Sequence, residues 1–355
     1  MRRVYALCTT SAGADVVRAV SDTLDLAGII GLAPRYRSSG VAGFIDMKQF
    51  ALELGVPFIP VETYDLDGPS DVARLQKEKI DVLLVVGWQR LIPSWLINQC
   101  SEGALGIHGS PGGISAGRGR SPQNWALILG ASEFELSLFL IDDGVDSGDV
   151  ISSASFRYER EDDINVSYLK VSMSSSKLIV QALESGEALK SSSRPQTGEV
   201  YYFPQRFPED GAIDWYRSSE EICRFVRALT FPYPGAFTWL GDRKILIWKA
   251  RAFSGFQSLF PECEIDETPG KVIFESTSGA IVVRTGDGYI LSESWSLESG
   301  AKYAGVLGEL FFSVNWQEQL RGILSRHEKR YPDFRISPLL LEQLNDVKAS
   351  AITQK

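Results

Sequence analysis

Short apolar runs alternate with amphipathic stretches over the first part of the chain. Val4–Thr9 reads as a strand. Ala14–Leu24 places Val16, Val17 and Val20 on one face, as a helix requires. Ala27–Leu32 is a second strand, and Asp46–Leu54 a helix stopped by Gly55, the residue type that tolerates the left-handed closing position. Val56–Val61, Pro69–Lys79 and Val82–Val86 continue the series as strand, helix and strand. Strands separated by helices predict parallel pairing through right-handed crossovers, with both faces of the sheet covered. In such sheets ligands settle beyond the carboxyl ends of the strands.

Three apolar strands then run into polar, glycine-rich loops. Val82–Val86 leads into Gly87-Trp88-Gln89-Arg90-Leu91-Ile92-Pro93. A strand around Ala104–Ile107 leads into His108-Gly109-Ser110-Pro111-Gly112-Gly113. After Gly117–Pro122 and a helix over Gln123–Leu129 that ends at Gly130, a strand at Leu136–Ile141 leads into Asp142–Asp149. Loops of this composition on a rigid scaffold are where function sits.

The Ser/Arg/Pro/Thr/Gly stretch Ser191–Gly198 reads as a linker. Beyond it Ile213–Trp215, Gly235–Leu240, Lys244–Trp248, Gly270–Phe274 and Ala280–Arg284 are short strand-like runs, with one helix at Ser219–Leu229. The tail is apolar at Val306–Phe312 and helical near Leu339–Val347. The expected organisation is a first domain at 1–190, a linker at 191–204, a β-rich domain at 205–300 and a helical tail extension at 301–355. A length of 355 residues fits more than one core.

Composition narrows the class. Apolar residues make up 44% and charged residues 23%, with no run that could cross a bilayer, so no membrane partner is expected. Met1-Arg2-Arg3 resembles the basic flank of a secretion signal, but the apolar run after it is too short. Cys8, Cys100, Cys223 and Cys263 lie far apart and form no metal or disulfide framework; reduced thiols of a cytoplasmic protein are expected, and no metal. A formal charge of −9 argues against a nucleic-acid partner.

Only His108 and His327 can supply an imidazole. His108 follows a buried strand in a Gly/Pro loop, a functional setting. His327 lies in Arg326-His327-Glu328-Lys329-Arg330, a charged stretch that reads as solvated. A carboxylate to orient His108 must come from a neighbouring strand end, where Asp146 and Asp149 both qualify. Gly117-Arg118-Gly119-Arg120-Ser121 has the makings of a phosphate cradle, and equally of a surface loop. The Thr9–Gly13 turn lacks the glycine spacing of a dinucleotide site.

Three motifs together resemble the folate-dependent formyltransferases: Ile107-His108-x-Ser110-Pro111, Arg118-Gly119-Arg120-Ser121-Pro122-x-Asn124-Trp125-Ala126 and Asp143-Gly144-Val145-Asp146-Ser147-Gly148-Asp149. Pro208–Trp215 and Arg227–Phe237 resemble the C-terminal domain of the tRNA and amino-sugar members. The resemblance spans roughly residues 1–300. It implies an α/β, Rossmann-like, mostly parallel sheet in the catalytic domain, followed by a small β-rich, OB-like domain. It implies 10-formyltetrahydrofolate as formyl donor. Gly87, Trp88, Arg90, Leu91 and Ile92, with Ile141, Asp142, Gly144 and Asp146, would grip the pterin. His108 would stabilise the oxyanion formed when an amine attacks the formyl carbon, and Asp146 would hold His108 in its working protonation state. Arg118, Gly119 and Arg120 would hold the acceptor's phosphates.

One position departs from the family. Its Asn, two residues before the His, is Gly106 here. Losing one oxyanion donor costs about two to three orders of magnitude in turnover. Backbone N–H groups around Gly109, the Ser110 hydroxyl and the Asn124 amide are the expected substitutes. The loop from His to Arg is two residues longer than the common form, with Gly112-Gly113 in place of Leu-Pro; a Gly-x-His-Gly-Ser-Pro start resembles amino-sugar-type members. The leading expectation is formylation of an amino sugar, nucleotide-linked, for lipopolysaccharide or another surface glycan, by a homodimer. The alternatives are methionyl-tRNA formyltransferase, for which Arg35-Tyr36-Arg37 is a thin basic start, and a folate-binding relative inactivated at Gly106.

Overall fold

The computed structural model describes residues 2–35, 43–259, 266–300 and 305–345. Tyr36, Arg37 and Cys263 lie outside them. The chain divides into two compact units that interleave along the sequence. The first runs as far as Gly119 and adds 133–157 and 166–200; the second holds 120–132, 158–165 and the chain from Tyr201 onward.

The first unit is built on β1 (Val4–Leu7), β2 (Leu26–Leu32), β3 (Phe58–Val61), β4 (Val82–Val85), β5 (Gly103–Ser110), β6 (Glu133–Leu140) and β7 (Val150–Arg157). They form one sheet in the order β3-β2-β1-β4-β5-β6-β7. The strands from β3 to β5 are parallel, and β6 and β7 are antiparallel. The order reverses at β1, so the loops after β1 and β4 flank the ligand-binding crevice of such a sheet. Helices α1 (Ser11–Ser21), α2 (Met47–Leu54), α3 (Pro69–Leu75) and α4 (Ser94–Gln99) follow the early strands. Thr10 and Asp46 cap α1 and α2, and Gly55 ends α2 at φ 67°, as its position predicts.

Strand β5 changes partners along its length. Gly103–Gly106 pairs in parallel with β4, and Leu105–Ser110 pairs in antiparallel with β6. His108, expected in a loop, therefore lies inside β5, opposite Ser137 and beyond the end of β4. The sequence pattern missed β7 and the 21-residue helix Ile164–Glu184. In that helix, which belongs to the first unit from Val166 on, Ser167, Ser172 and Ser175 share the buried face with Leu178, Ile179 and Leu183. Small hydroxyls at buried positions erase the apolar period that would have revealed it.

In the second unit β8 (Ala236–Leu240), β9 (Arg243–Ala252), β10 (Val272–Glu275), β11 (Ile281–Arg284) and β12 (Tyr289–Leu297) form an antiparallel sheet in the order β8-β9-β12-β11-β10. Ile213–Trp215, expected as a strand, makes only a bridge beside it, Ala212 to Phe237. The expected helix Ser219–Leu229 forms, with a Ser218/Glu221 capping box. The tail enters this unit: Leu310 and Phe312 bridge to Lys271 and Trp239, and Phe311 packs on Trp215 with ring centroids 5.8 Å apart.

A helix over Trp316–Arg330 follows, and it overturns the solvated reading of His327. Leu320, Ile323, Leu324 and His327 form its buried stripe, and the flanking charges occupy the other face. His327 is 7% exposed and its Nε2 has no hydrogen-bond partner. Burial pushes its imidazole below the usual range, outweighing the Phe334 carbonyl and Glu328, which act the other way. The unfolded chain then binds a proton that the folded chain refuses, so stability falls as pH drops through the ordinary imidazole range near ~6.5. Urea unfolding between about pH 7.5 and 5.5 should show a steeper acid loss for the wild type than for His327→Leu. Parallel pH curves would contradict this.

Candidate active site

The site is assembled by three segments of the first unit: the β6–β7 loop, the end of β5 with the turn after it, and the chain at 194–196. The β6–β7 loop is drawn tightly onto its own strand. Leu140 N donates to Asp149 O at 2.9 Å, and a Cβ on Gly148 would lie 1.6 Å from the Leu140 carbonyl oxygen, so only glycine fits. Asp142 Oδ1 accepts from Gly144 N at 3.0 Å and Ser147 Oγ at 2.5 Å, closing an Asx turn. Asp146 then adopts φ 50°, a left-handed conformation rare outside glycine. Holding it there costs about 1–3 kcal/mol, so surrounding contacts must fix it.

Those contacts are visible. Asp146 Oδ2 accepts the Gly119 N–H at 3.0 Å and stands 3.5 Å from His108 Nδ1. His108 Nε2 lies 2.9 Å from the Gly117 carbonyl oxygen; a carbonyl only accepts, so Nε2 carries a hydrogen in this arrangement. The side chains are 9% (His108) and 21% (Asp146) exposed, screened from bulk water but reachable. Asp146, not Asp149, is the carboxylate that meets His108. Among the described residues no cluster of three His, Cys, Asp or Glu forms a metal-binding group.

Arg118 is buried at 8% exposure, and its Nε and Nη2 donate to Gln196 Oε1 at 3.3 and 2.8 Å. Among the described residues no carboxylate meets its guanidinium. Gln196 also accepts from Ser115 Oγ at 3.2 Å and donates through Nε2 to the Asp146 and Gly148 carbonyls, each at 2.8 Å. The sequence reading placed it in a linker. One amide in a Ser/Pro/Gly-rich run has no periodicity to announce it.

Other expected site residues fall elsewhere. The Ser110 side chain is fully buried and donates to Gly113 O at 2.5 Å, so its hydroxyl is spent on the turn. Gly112 and Gly113 sit at φ 98° and 88°, which neither Leu nor Pro could adopt readily. Asn124 is 1% exposed in the second unit and donates to Ala228 O at 2.6 Å, tying two helices together. Arg120, exposed, also belongs to that unit, and its N–H donates to Phe203 O. Arg118 and Arg120 thus have different settings.

At Gly106 the finding is steric. Gly106 sits opposite Phe139 across β5 and β6, and a Cβ there would meet Phe139 Cζ at 2.7 Å and Ile141 Cγ1 at 3.0 Å. The Phe139 ring fills the space that a side chain at 106 would need. Around the loop after β4, Gly87 takes φ 72°, Ile92 is core, and Leu91 is 59% exposed. Arg90 lies over the Tyr64 ring and 3.4 Å from Asp65. Trp88, 9% exposed and edge-on to Tyr64, has a buried Nε1–H with no partner. Ile141 packs against the same core, and Asp142 and Gly144 are exposed in the Asx turn.

Two family models match this chain: the formyl transferase domain over residues 5–183 and the formyl transferase C-terminal domain over residues 207–306. The chain belongs to the formyl transferase family. Among solved structures, HypX from Aquifex aeolicus in complex with tetrahydrofolic acid superposes with a TM-score of 0.55 at 19% identity, over 82% of this chain and 43% of HypX. The chain therefore spans less than half the length of HypX. An N-formyltransferase from Helicobacter canadensis in complex with folinic acid and dTDP-3-aminofucose gives 0.55 at 13%, over 82% and 99%. WlaRD, a sugar 3N-formyl transferase crystallised with dTDP and 5-N-formyl-THF, gives 0.53 at 15%, over 82% and 97%. These similarities establish a shared fold.

An Asn placed at position 106 should do harm. Gly106→Asn should destabilise the protein by about 1–3 kcal/mol through overpacking. Combining it with Phe139→Ala should cost less than the sum of the two single changes, because each relieves the other. Chemical unfolding of the four variants measures this, and strict additivity would show that the ring and position 106 are independent.

Proposed function

We propose that this protein transfers the formyl group of 10-formyltetrahydrofolate to the primary amine of a nucleotide-linked amino sugar. The observation that carries the reading is Asp146, held in a left-handed conformation with its carboxylate 3.5 Å from His108 Nδ1. Strained residues cluster at functional sites, and a carboxylate beside an imidazole suits a reaction that moves a proton beside a polarised carbonyl.

In this reading the amine nitrogen bonds to the formyl carbon and the carbonyl oxygen takes negative charge. The tetrahedral adduct collapses by breaking the bond to N10 of the folate, which gains the proton the amine gives up. Ser110 and Asn124 have their hydrogen bonds elsewhere, and Phe139 excludes a side chain at 106. His108 is therefore the donor to the oxyanion, exchanging the Gly117 carbonyl for the substrate oxygen. Asp146 balances the imidazole's charge and accepts the proton in transit. The orphaned Trp88 Nε1–H, in the loop after β4, is a donor that a pterin heteroatom would satisfy.

The acceptor class rests on charge. Arg118 presents a buried guanidinium neutralised by no carboxylate among the described residues, a setting that favours an anion such as a phosphate. The chain's −9 charge disfavours a long polyanion such as tRNA. Of the structures with this fold, WlaRD was crystallised in the presence of dTDP and 5-N-formyl-THF, and the Helicobacter canadensis N-formyltransferase in complex with folinic acid and dTDP-3-aminofucose. A formylated sugar would serve a surface glycan, with the reaction run in the cytoplasm where reduced folate and nucleotide sugars are made.

The test is purified protein with 10-formyltetrahydrofolate, a panel of nucleotide-linked amino sugars, and charged initiator tRNA. Tetrahydrofolate release and a mass gain of one formyl group on the sugar are expected. His108→Ala should reduce turnover by about 10²–10⁴-fold. Formylation of tRNA alone would overturn the acceptor, and tight folate binding without transfer to any acceptor would overturn the activity.

A further inference from the structure

We infer that Gln196 is a positioning residue for catalysis, holding Asp146 in its strained conformation against His108 while seating Arg118. The inference rests on the formyl-transfer reading above for its kinetic arm only. Its geometric basis is independent.

Gln196 lies in a segment that carries no helix or long strand, yet it is placed firmly. Two residues earlier, Arg194 makes a two-bond bridge with Val150 at the start of β7, N to O at 2.8 and 2.9 Å. That bridge sets the amide beside the β6–β7 loop. Nε2 then donates to Asp146 O and Gly148 O, using both amide hydrogens, and Oε1 accepts from Arg118 and Ser115. The side chain's polar capacity is thus spent on four residues in two segments, the loop that bears Asp146 and the turn that follows His108.

The position of those bonds matters more than their number. The Asp146 carbonyl belongs to the residue at φ 50°, and the Gly148 carbonyl to the glycine pressed on the Leu140 carbonyl. Both would turn outward if the loop relaxed to an ordinary conformation. Relaxation would withdraw the Asp146 carboxylate from Gly119 N–H and from His108. Only an amide of this length both donates to two carbonyls and accepts from a guanidinium. A Glu of the same shape would face two carbonyl oxygens with a carboxylate, and would give Arg118 the counter-charge it now lacks.

The test compares Gln196→Met, Gln196→Glu and the wild type, each also in an Asp146→Gly background, where glycine keeps φ 50° without strain and leaves no side chain to position, after thermal unfolding has confirmed that they fold. The activity-independent readout is the NMR signal of the His108 ring, one of only two imidazoles in the chain, with His327 as internal control. Both Gln196 substitutions should move the His108 resonances in the wild-type background, move them far less in the Asp146→Gly background, and leave His327 unmoved throughout. In formyl transfer, Gln196→Met should lower kcat by about 10–100-fold with the folate KM within about twofold, and the loss should vanish in the Asp146→Gly background. An unmoved His108 signal, or the same fractional loss of kcat in both backgrounds, would overturn the inference. If the wild type transfers no formyl group while the His108 signal behaves as stated, the proposed function fails and the positioning role stands. If Gln196→Met does not fold, Gln196→Glu carries both readouts alone.

Discussion

Asp146 occupies a backbone conformation that side chains avoid, and the site is arranged around keeping it there. The loop on one side is closed by an Asx turn at Asp142 and by a glycine that packs against the Leu140 carbonyl. On the other side the carboxylate accepts from the Gly119 N–H, and the Gln196 amide donates to the Asp146 carbonyl. Each bond alone is worth about 1 kcal/mol. Together they hold the loop closed and leave a carboxylate aimed at an imidazole. The sheet contributes by ending β4 before His108, so that the imidazole stands at the carboxyl edge and not in the core.

The same sheet explains what the site lacks. β5 leaves its parallel neighbour at Gly106 and pairs onward with β6, which brings Phe139 over the backbone of 106. A ring seated there and a side chain at 106 are mutually exclusive without rearrangement. The glycine is therefore part of the packing of this edge. In the proposed reaction the burden of stabilising an oxyanion would move to the imidazole itself, and its orientation by Asp146 would matter more than with a second donor nearby.

Much of the first unit was legible from hydrophobic spacing. β1 to β6 and helices α1 to α3 fall on the apolar runs that predict them, with α2 stopped at Gly55, but α3 ends at Leu75 and not Lys79, and β5 runs on past Ile107 to Ser110. His108, Asp146 and Arg118 stood out as charged or titratable residues in glycine-rich loops, and the structure brings all three into one network. Three kinds of information were not legible. The helix Ile164–Glu184 buries serines in place of aliphatic side chains, and the helix Trp316–Arg330 hides a narrow buried stripe among charges, which made His327 read as solvated. Ser110 and Asn124 carry the right groups for catalysis, but their partners, Gly113 O and Ala228 O, are set by tertiary structure. Gln196 acts through contacts 48 to 81 residues away in sequence, and no local pattern encodes them.

In the proposed reaction His108 and Asp146 act as one device. A double-mutant cycle on single-turnover formyl transfer tests it most directly, with His108→Ala, Asp146→Ala and the pair compared with the wild type. Residues that act only through each other are strongly non-additive, so the double variant should be no slower than the slower single variant. If the two losses multiply, each residue contributes on its own, and the strained loop would not be holding Asp146 for the sake of His108.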